Sequence, residues 1–470
     1  INNKVKHYRV NLKNKNNQIK NRTNSKIGKK NILNEFDIVF NGIALDITDE
    51  EVKEIKNIPG VKSISPNYEV QALLMNSVPL IQEGIQAGKL DKDGNDCTIS
   101  GKTCFTGEGV TIAIIDTGID YTHLDLGGCT QSQFLSGNCN KVIGGYDFVN
   151  NDNNPMDDHY HGTHVAGIAA GNGVLKGVAP DAKLYAYKVM NSLGSGYFDD
   201  IIAGIERSVD PNQDGDYSDM IDIISLSLGG PGNPDDPQSQ AIDNVVEAGV
   251  IAVIAAGNSG PSNKTIKSPG TARNAITVGA TYKKDYDGSY WDLNPRVNQI
   301  TSFSSRGPVE LSGNSINKPD IVAPGAIICS SRYDNIYPEG SHPYYKPCLD
   351  EKHVQLAGTS MATPMVAGAV ALLKQKHPDW SPEEIKNTLM NSATNLGYDI
   401  NTQGSGRIDL SKAITLVSSP SVSEQYLYYN LTENDCTVNI TLSSDTGNHT
   451  LYSKSTANFC DNNWDKSLIA

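Results

Sequence analysis

Four short segments of this 470-residue chain carry carboxylate, imidazole, amide and hydroxyl groups that could act together. Asp116 closes the apolar run Val110-Thr-Ile-Ala-Ile-Ile115 and is followed by Thr117-Gly118. Three histidines, His159, His161 and His164, crowd around the string His161-Gly-Thr-His-Val-Ala-Gly167. Asn258 follows Ala255-Ala-Gly257, and Ser360 lies within Gly358-Thr-Ser-Met-Ala362. A serine hydroxyl is a poor nucleophile at neutral pH and needs a neighbouring base. A histidine can be that base when a carboxylate holds its tautomer and stabilises the imidazolium that forms. Ser360 stands where a loop ends at Gly358 and a helical pattern starts at Met361, so unpaired N–H groups and a partial positive charge would lie beside it. An amide such as Asn258 can donate to an oxyanion, and losing one such donor costs about 10²–10³ in turnover. The rival chemistry is a zinc site built from the histidines with Asp152, Asp157 or Asp158, but no Cys or Glu ligand pattern joins it.

The runs between these segments read as an α/β scaffold. Residues 110–115, 183–189, 221–228 and 250–256 are apolar runs without alternation, and helical patterns fall at 198–209 and 237–248. Strands of that kind, separated by helices, imply a parallel sheet buried on both faces. In such sheets reactive groups gather beyond the carboxyl ends of the strands, where Asp116 and Asn258 both lie. Residues 1 to about 75 read as a small α+β unit, with strands at 6–12, 36–40 and 61–65 and a helix opening at Asp49. The Lys/Asn-rich stretch 13–30 reads as a polar loop. From 418 onward, alternating polar runs around Tyr426, Tyr428, Thr437 and Asn439 read as the start of a β-rich appendage.

Composition narrows the class. A hydrophobic content of 38% and a charged content of 20% fit a soluble protein of two or three domains. The longest apolar run, Gly249 to Ala256, falls far short of the roughly 18–20 residues that span a bilayer. A formal charge of −14 disfavours a nucleic-acid partner. The first 30 residues hold ten basic and no acidic side chains, leaving −24 for the remainder, and residues 1–75 total +5 against −19. A basic leader before an acidic body favours docking of one on the other. The eight cysteines fall as near neighbours: 97 and 104, 129 and 139, 329 and 348, 436 and 460. An even count in spaced pairs, without C-x-x-C, favours disulfides over zinc, with neighbour pairing one of about 105 connectivities. Five glycosylation sequons, at Asn21, Asn263, Asn430, Asn439 and Asn448, agree with export. The chain opens Ile1-Asn2-Asn3-Lys4 with no apolar signal core, so any targeting segment has been removed or never existed.

Taken together and in the order Asp, His, Asn, Ser, the four segments resemble the subtilisin family of serine proteases over residues 108–417. That arrangement of a triad is the worked example of the general rule, so it is a recognised pattern. The resemblance implies a three-layer α/β fold and catalysis by Asp116, His161 and Ser360 with Asn258 at the oxyanion. It selects His161, the first histidine of His-Gly-Thr-His, as the base. His164 is then expected to be a packed helix residue and His159 a surface loop residue. It further implies that Gly194, Ser195 and Gly196 on one side and Ser227, Leu228 and Gly229 on the other pair with an extended peptide. Ala256 and Gly257 would floor the main pocket, with room for a large apolar side chain and a broad preference. Phe40 to Leu45 and Ile58 to Asn67 resemble an inhibitory prodomain of the subtilisin propeptide type, whose tail, Tyr68 to Met75, would lie in the cleft and be cut between 70 and 78.

Residues Asp210, Asn212, Asp214 and Asp216, with Gly215 at the sixth position and Asp219 beyond, follow the first half of a Ca²⁺ loop. Ile221 stands where a twelfth-position Glu would be, so this is no EF-hand; the alternative is a solvated acidic turn. The expectation is therefore a ferredoxin-like prodomain at 1–75, a subtilisin-like catalytic domain at 77–417 and an incomplete β-rich region at 418–470. Function is expected to be that of a secreted or cell-surface serine endopeptidase made as a self-cleaving zymogen. Its expected cofactor is structural Ca²⁺ alone, and its partners polypeptide substrates and its own prodomain, as a monomer without nucleic acid or a transmembrane segment. The alternative is an inactive relative acting as a surface binding scaffold.

Overall fold

The computed structural model describes residues 16–28, 32–72, 91, 93, 97, 103–282, 299–311, 314–333, 348–416, 437–438 and 457–458. The N-terminal part carries a helix over residues 16–27 (α1), β1 (Ile32–Phe36), β2 (Gly42–Leu45), α2 (Asp49–Ile55) and β3 (Glu69–Ala72). There follow β4 (Thr111–Asp116), α3 (Gln131–Leu135), β5 (Val142–Asp147), α4 (His161–Ala170), β6 (Lys183–Lys188), β7 (Ser195–Tyr197) and α5 (Phe198–Arg207). Next come β8 (Ile223–Leu226), β9 (Leu228–Gly229), α6 (Pro237–Ala248), β10 (Ile251–Ala255), β11 (Ile276–Thr281), β12 (Val309–Leu311) and β13 (Asn314–Ile316). Then come β14 (Ile321–Pro324), β15 (Ile328–Ser331), β16 (His353–Leu356), α7 (Thr359–Lys376), α8 (Pro382–Ser392), α9 (Ile400–Gln403) and α10 (Leu410–Thr415).

Seven strands form one sheet in the order β14-β11-β10-β8-β4-β6-β5, with every pairing parallel. Side chains alternate across a strand, and β4 shows the consequence. Ile112 and Ile114 enter a core with α4 and α7, while Ala113 and Ile115 enter a second core with α5 and α6. All four are fully buried, which explains why the run shows no polar alternation. Each isoleucine so buried contributes roughly 1.5–3 kcal/mol. The result is the three-layer α/β arrangement expected from the sequence.

The N-terminal part departs from expectation in three places. Residues 16–27 form a helix where a polar loop was expected. Asn16, Ile19, Lys20, Thr23 and Ile27 share its less exposed side, a helical spacing hidden within polar residue types. Asn16 Nδ2 donates to the carbonyls of Phe36 (2.6 Å) and Gly42 (3.3 Å), and Lys20 pairs with Glu35 at 2.7 Å. Tertiary contacts of this kind override a weak local propensity. The strand expected at 36–40 lies earlier, as β1, and pairs antiparallel with β2. Residues 61–68 form no strand and are mostly exposed. The strand expected at 6–12 lies outside the described residues. The helix at Asp49 is present and begins with a reciprocal cap between Thr48 and Glu51.

Two surface helices hold this part on the body. Glu206 of α5 accepts the backbone N–H groups of Ile38 (3.0 Å), Val39 (3.2 Å) and Phe40 (3.3 Å). Burial pushes the Glu206 carboxyl up to about 7 against the pull of those three donors. Asp199, in the first turn of α5, accepts Nδ2 of Asn34 (3.2 Å) and of Asn67 (2.7 Å). Asn244 of α6 donates to the Val39 carbonyl. Residues 419–470 form a separate unit, in which Thr437–Val438 pairs antiparallel with Ala457–Asn458. Among the described residues no helix is long and apolar enough to cross a membrane.

Candidate active site

The sheet register sets the geometry of the site. Ile114 of β4 lies opposite Ser225 of β8, and Leu226 opposite Ile254 of β10. The carboxyl ends of three adjacent strands therefore deliver Asp116, Ser227 and Asn258 side by side, with strands about 4.8 Å apart. Asp116 and His161 are fully buried, and His161 Nδ1 meets Asp116 Oδ1 at 2.6 Å. That carboxylate oxygen also accepts the Thr117 N–H at 2.8 Å. A carboxylate at Nδ1 assigns the ring proton to that nitrogen, which makes Nε2 the basic atom. Nε2 is buried and finds no hydrogen-bond partner among the described residues.

Ser360 is the second residue of α7 and is fully buried. Its Oγ donates to the Ser227 carbonyl (3.0 Å), while Ser227 Oγ donates to the Ser360 carbonyl (2.9 Å). This reciprocal pair fastens the start of α7 to the strand end beside Asp116. Asn258 has its Oδ1 engaged by the N–H (2.9 Å) and hydroxyl (3.0 Å) of Thr359. Those two donors fix the amide orientation and turn its NH₂ group to the opposite side.

The edges expected to bind a peptide are filled by the chain's own β3. Val70 lies opposite Gly196 and Gln71 opposite Ser195 on β7, while Gln71 and Ala72 face Gly229 and Leu228 on β9, all antiparallel. Gly194 makes the turn into β7 with φ 70°. Val70 is buried at 1% exposure, in contrast to residues 62–69 before it. Ala256 is fully buried, and Gly257 has φ 107° with its N–H on Thr359 Oγ1 at 3.2 Å. A side chain at Gly257 would strike Lys267 Cγ at 2.7 Å and Ser305 Oγ at 2.9 Å. Lys267 thus lies against the residue read as the pocket floor, a neighbour that no sequence spacing indicated.

His164 is fully buried, with Nε2 at 3.1 Å from the Ile328 carbonyl and 3.0 Å from that of Val354. His159 is not the surface residue expected. It stacks on Tyr160 at 4.2 Å, and burial lowers its pKa to about 4. In the acidic loop, the Gly215 N–H, at φ 76°, approaches both Asp210 oxygens (3.4 and 3.3 Å). Asn212 Oδ1 accepts the Asp214 N–H (2.9 Å), and Asp214 Oδ1 accepts that of Asp216 (2.7 Å). Burial and the charges of Asp214, Asp210 and Asp216 raise the Asp219 carboxyl above its ordinary value. Oxygen donors of this type suit a hard cation such as Ca²⁺, but among the described residues no three of these carboxylates bring their oxygens together as a metal site would. The pairs Cys97–Cys104, Cys129–Cys139 and Cys329–Cys348 stand at disulfide distance, with Cα separations of 5.3, 5.9 and 5.9 Å. Cys436 and Cys460 lie outside the described residues.

With the site laid out, comparison with known proteins identifies its class. Residues 107–407 match the subtilase family and residues 3–73 match peptidase inhibitor I9. The chain belongs to the subtilase family of serine proteases and carries an I9 propeptide domain. It is 36% identical over 365 residues to serine protease AprX of Bacillus subtilis (75% of this chain, 74% of that protein). It is 35% identical over 380 residues to subtilisin E of the same organism (79% and 80%). The minor extracellular protease Vpr of B. subtilis is 30% identical, covering 89% of this chain and 65% of that protein. A cold-adapted subtilisin-like serine proteinase of known structure aligns with a TM-score of 0.48 at 28% identity, over 65% of this chain and 88% of that one.

One cluster near the site was not read from the sequence. His353, at the head of the strand leading to Ser360, is held between Asp125 Oδ2 (2.7 Å) and Asp350 Oδ1 (2.6 Å). His123 Nδ1 accepts the Asp125 N–H at 3.1 Å, and its Nε2 lies 2.9 Å from the Lys352 carbonyl. His123, Asp125 and His353 are close enough to hold a metal, yet every ring nitrogen already has a partner. Burial pulls the His353 imidazole down, but the bonds and charges of Asp125 and Asp350 outweigh it, so its pKa stands above the ordinary value. A raised folded-state pKa contributes stability that is full below the unfolded value, about 6.5, and is lost as pH rises through the folded value. In a Ser360→Ala background, His353→Gln is expected to lower the melting temperature most near pH 6, with the gap closing in alkali. A gap that is constant across pH would show that His353 is not held as the cation.

Proposed function

We propose that Asp116, His161 and Ser360 form the triad of a secreted serine endopeptidase, with Asn258 donating to the oxyanion. The observation that carries this reading is the buried 2.6 Å bond between His161 Nδ1 and Asp116 Oδ1, one strand over from the Ser227–Ser360 pair. Ser360 Oγ adds to the scissile carbonyl carbon while its proton passes to His161 Nε2. The oxyanion so formed accepts the Asn258 NH₂ and an N–H at the start of α7. Collapse breaks the C–N bond as His161 gives that proton to the leaving amine, and water then hydrolyses the acyl-enzyme. The AprX and subtilisin E relatives favour this over an inactive scaffold. A fluorophosphonate is expected to label Ser360 and to lose that label in His161→Ala; Asn258→Ala is expected to lower kcat about 10²–10³-fold. Labelling that persists without His161 would refute the assignment.

Export is supported by the three cysteine pairs and by the likeness to Vpr, a minor extracellular protease. The same reading makes residues 1–75 an inhibitory prodomain and β3 a product-like strand lying across the substrate-binding edges. Gln71 faces Gly229 and Ala72 faces Leu228. Leu73 follows next in the sequence, outside the described residues, and we propose it as the residue after which the chain is cut. Maturation is therefore expected to cut Leu73–Leu74. N-terminal sequencing should find Leu74 in the mature chain and an uncut chain in Ser360→Ala. A first cut elsewhere would refute the register argument.

Calcium at Asp210, Asn212, Asp214, Asp216 and Asp219 would neutralise the mutual repulsion seen at Asp219. Chelation of the secreted protein is expected to lower its melting temperature by several degrees, and Asp214→Asn should abolish that response. An unchanged melting curve on chelation would remove the site.

A further inference from the structure

We propose that Asp157 is the positioning residue for the His161–Asp116 pair, an inference that rests on the catalytic reading above. Asp157 is fully buried and belongs to neither the triad nor the oxyanion site. Its Oδ1 accepts the Thr117 hydroxyl (2.9 Å) and the N–H groups of His159 (2.9 Å) and Tyr160 (3.1 Å). Its Oδ2 accepts the N–H (2.9 Å) and hydroxyl (2.5 Å) of Thr163.

The proton directions follow from the neighbours. Thr117 Oγ1 takes the Gly162 N–H at 2.9 Å, and Thr163 Oγ1 takes the Asp120 N–H at 2.9 Å. Each hydroxyl is thereby left to give its own proton to Asp157. Five donors converge on two oxygens, an arrangement that calls for the ionised, acceptor-only carboxylate. Burial holds this carboxyl above its ordinary value, against the pull of the Thr163, His159 and Tyr160 donors. A charge so enclosed persists only because every lone pair is met.

The chain order of those donors gives the group its role. Thr117 directly follows Asp116; His159 and Tyr160 precede His161, and Thr163 follows it. One carboxylate therefore ties the end of β4 to the start of α4 on both sides of the imidazole. The two backbones are in contact there, since a Cβ on Gly162 would lie 2.1 Å from the Gly118 carbonyl oxygen. Tyr160 has φ 106°, which disfavours a bulky residue, and Asp157 holds its N–H in that conformation. Lys188, buried beside β4, clamps the outside by donating to the Thr117 carbonyl (3.0 Å) and pairing with Asp158 at 2.5 Å. Sequence spacing offered Asp157 only as a conceivable zinc ligand; its five bonds give it a different task.

The test is kinetic, with active sites counted by fluorophosphonate titration. Asp157→Asn keeps the shape but turns an NH₂ toward donors, and Thr117→Val removes the hydroxyl that joins Gly162 to Asp157. Both are expected to lower kcat per titrated site by roughly 10–100-fold, the cost of misplacing a catalytic group by about 1 Å, with KM within about twofold. Thr117→Ser is expected to restore kcat. Lys318→Met, which breaks a buried ion pair with Asp320 elsewhere in the fold, is expected to lower the melting temperature but not kcat per titrated site. Wild-type kcat per site in both Asp157→Asn and Thr117→Val would overturn the proposal. A wild-type protein that takes up no fluorophosphonate would overturn the catalytic reading, and this inference with it.

Discussion

Everything at the candidate site depends on the parallel register of β10, β8 and β4. Parallel strands all end on the same side, so residues just past those ends become neighbours although they are far apart in sequence. Asp116, Ser227 and Asn258 are brought together in this way. Ser360 and His161 enter differently, on two helices that pack over one face of the same sheet. The helix bearing Ser360 is joined to the sheet by the reciprocal Ser227–Ser360 bonds. The helix bearing His161 is joined through the Asp116 and Asp157 carboxylates. A shift of one residue in the β8 register would move Ser227 away from Asp116 and turn its side chain to the other face.

A site built at the centre of a sheet is dry, and dryness raises the cost of every unmatched charge. The fold answers with a series of closed pairs. Lys188 meets Asp158, Lys318 meets Asp320, and His353 meets Asp125 and Asp350. Asp158 and Asp350 are half-exposed, so only Lys318–Asp320 and His353–Asp125, buried on both sides, fall in the class where removing one partner typically costs about 3–5 kcal/mol. The His161–Asp116 pair differs in leaving Nε2 with no partner among the described residues. An unpartnered Nε2 is compatible with the proposed role, because a base must keep one nitrogen available to receive a proton; Asp116 Oδ2 and a ring nitrogen each of His159 and His164 are likewise without a partner among the described residues.

The central scaffold was legible because its signals are local. Apolar runs such as 251–255 declare buried parallel strands, and the motifs around Asp116, His161, Asn258 and Ser360 lie where those strands and helices begin or end. The α1 helix was not legible, since the two residues it buries, Asn16 and Thr23, are polar, and the burial of Asn16 depends on carbonyls of β1 and β2. His159 was misread for a related reason: only the folded loop stacks it on Tyr160. Lys267 against Gly257, and His353 between Asp125 and Asp350, join residues from segments distant in the chain. No periodicity records contacts of that sort. Asp157 shows the limit most clearly, since its type and position were visible but its five donors were not.

The N-terminal part adds a further constraint on the same cleft. β3 completes a three-stranded sheet with β7 and β9, so its backbone satisfies N–H and C=O groups that, on the proposed reading, a peptide substrate would otherwise meet. A strand tethered to its own site competes at an effective concentration in the millimolar range. Contacts far from the cleft strengthen that hold, because Glu206 and Asn244 grip residues 38–40 while Asp199 grips Asn34 and Asn67. Cutting the tail would therefore remove the tether but leave these contacts intact. On the proposed reading, blockade ends only when the freed N-terminal part leaves α5 and α6, so cleavage and activation are separate events. The strength of the Glu206 contact, with a carboxyl that burial raises to about 7, then bears on the second event more than on the first.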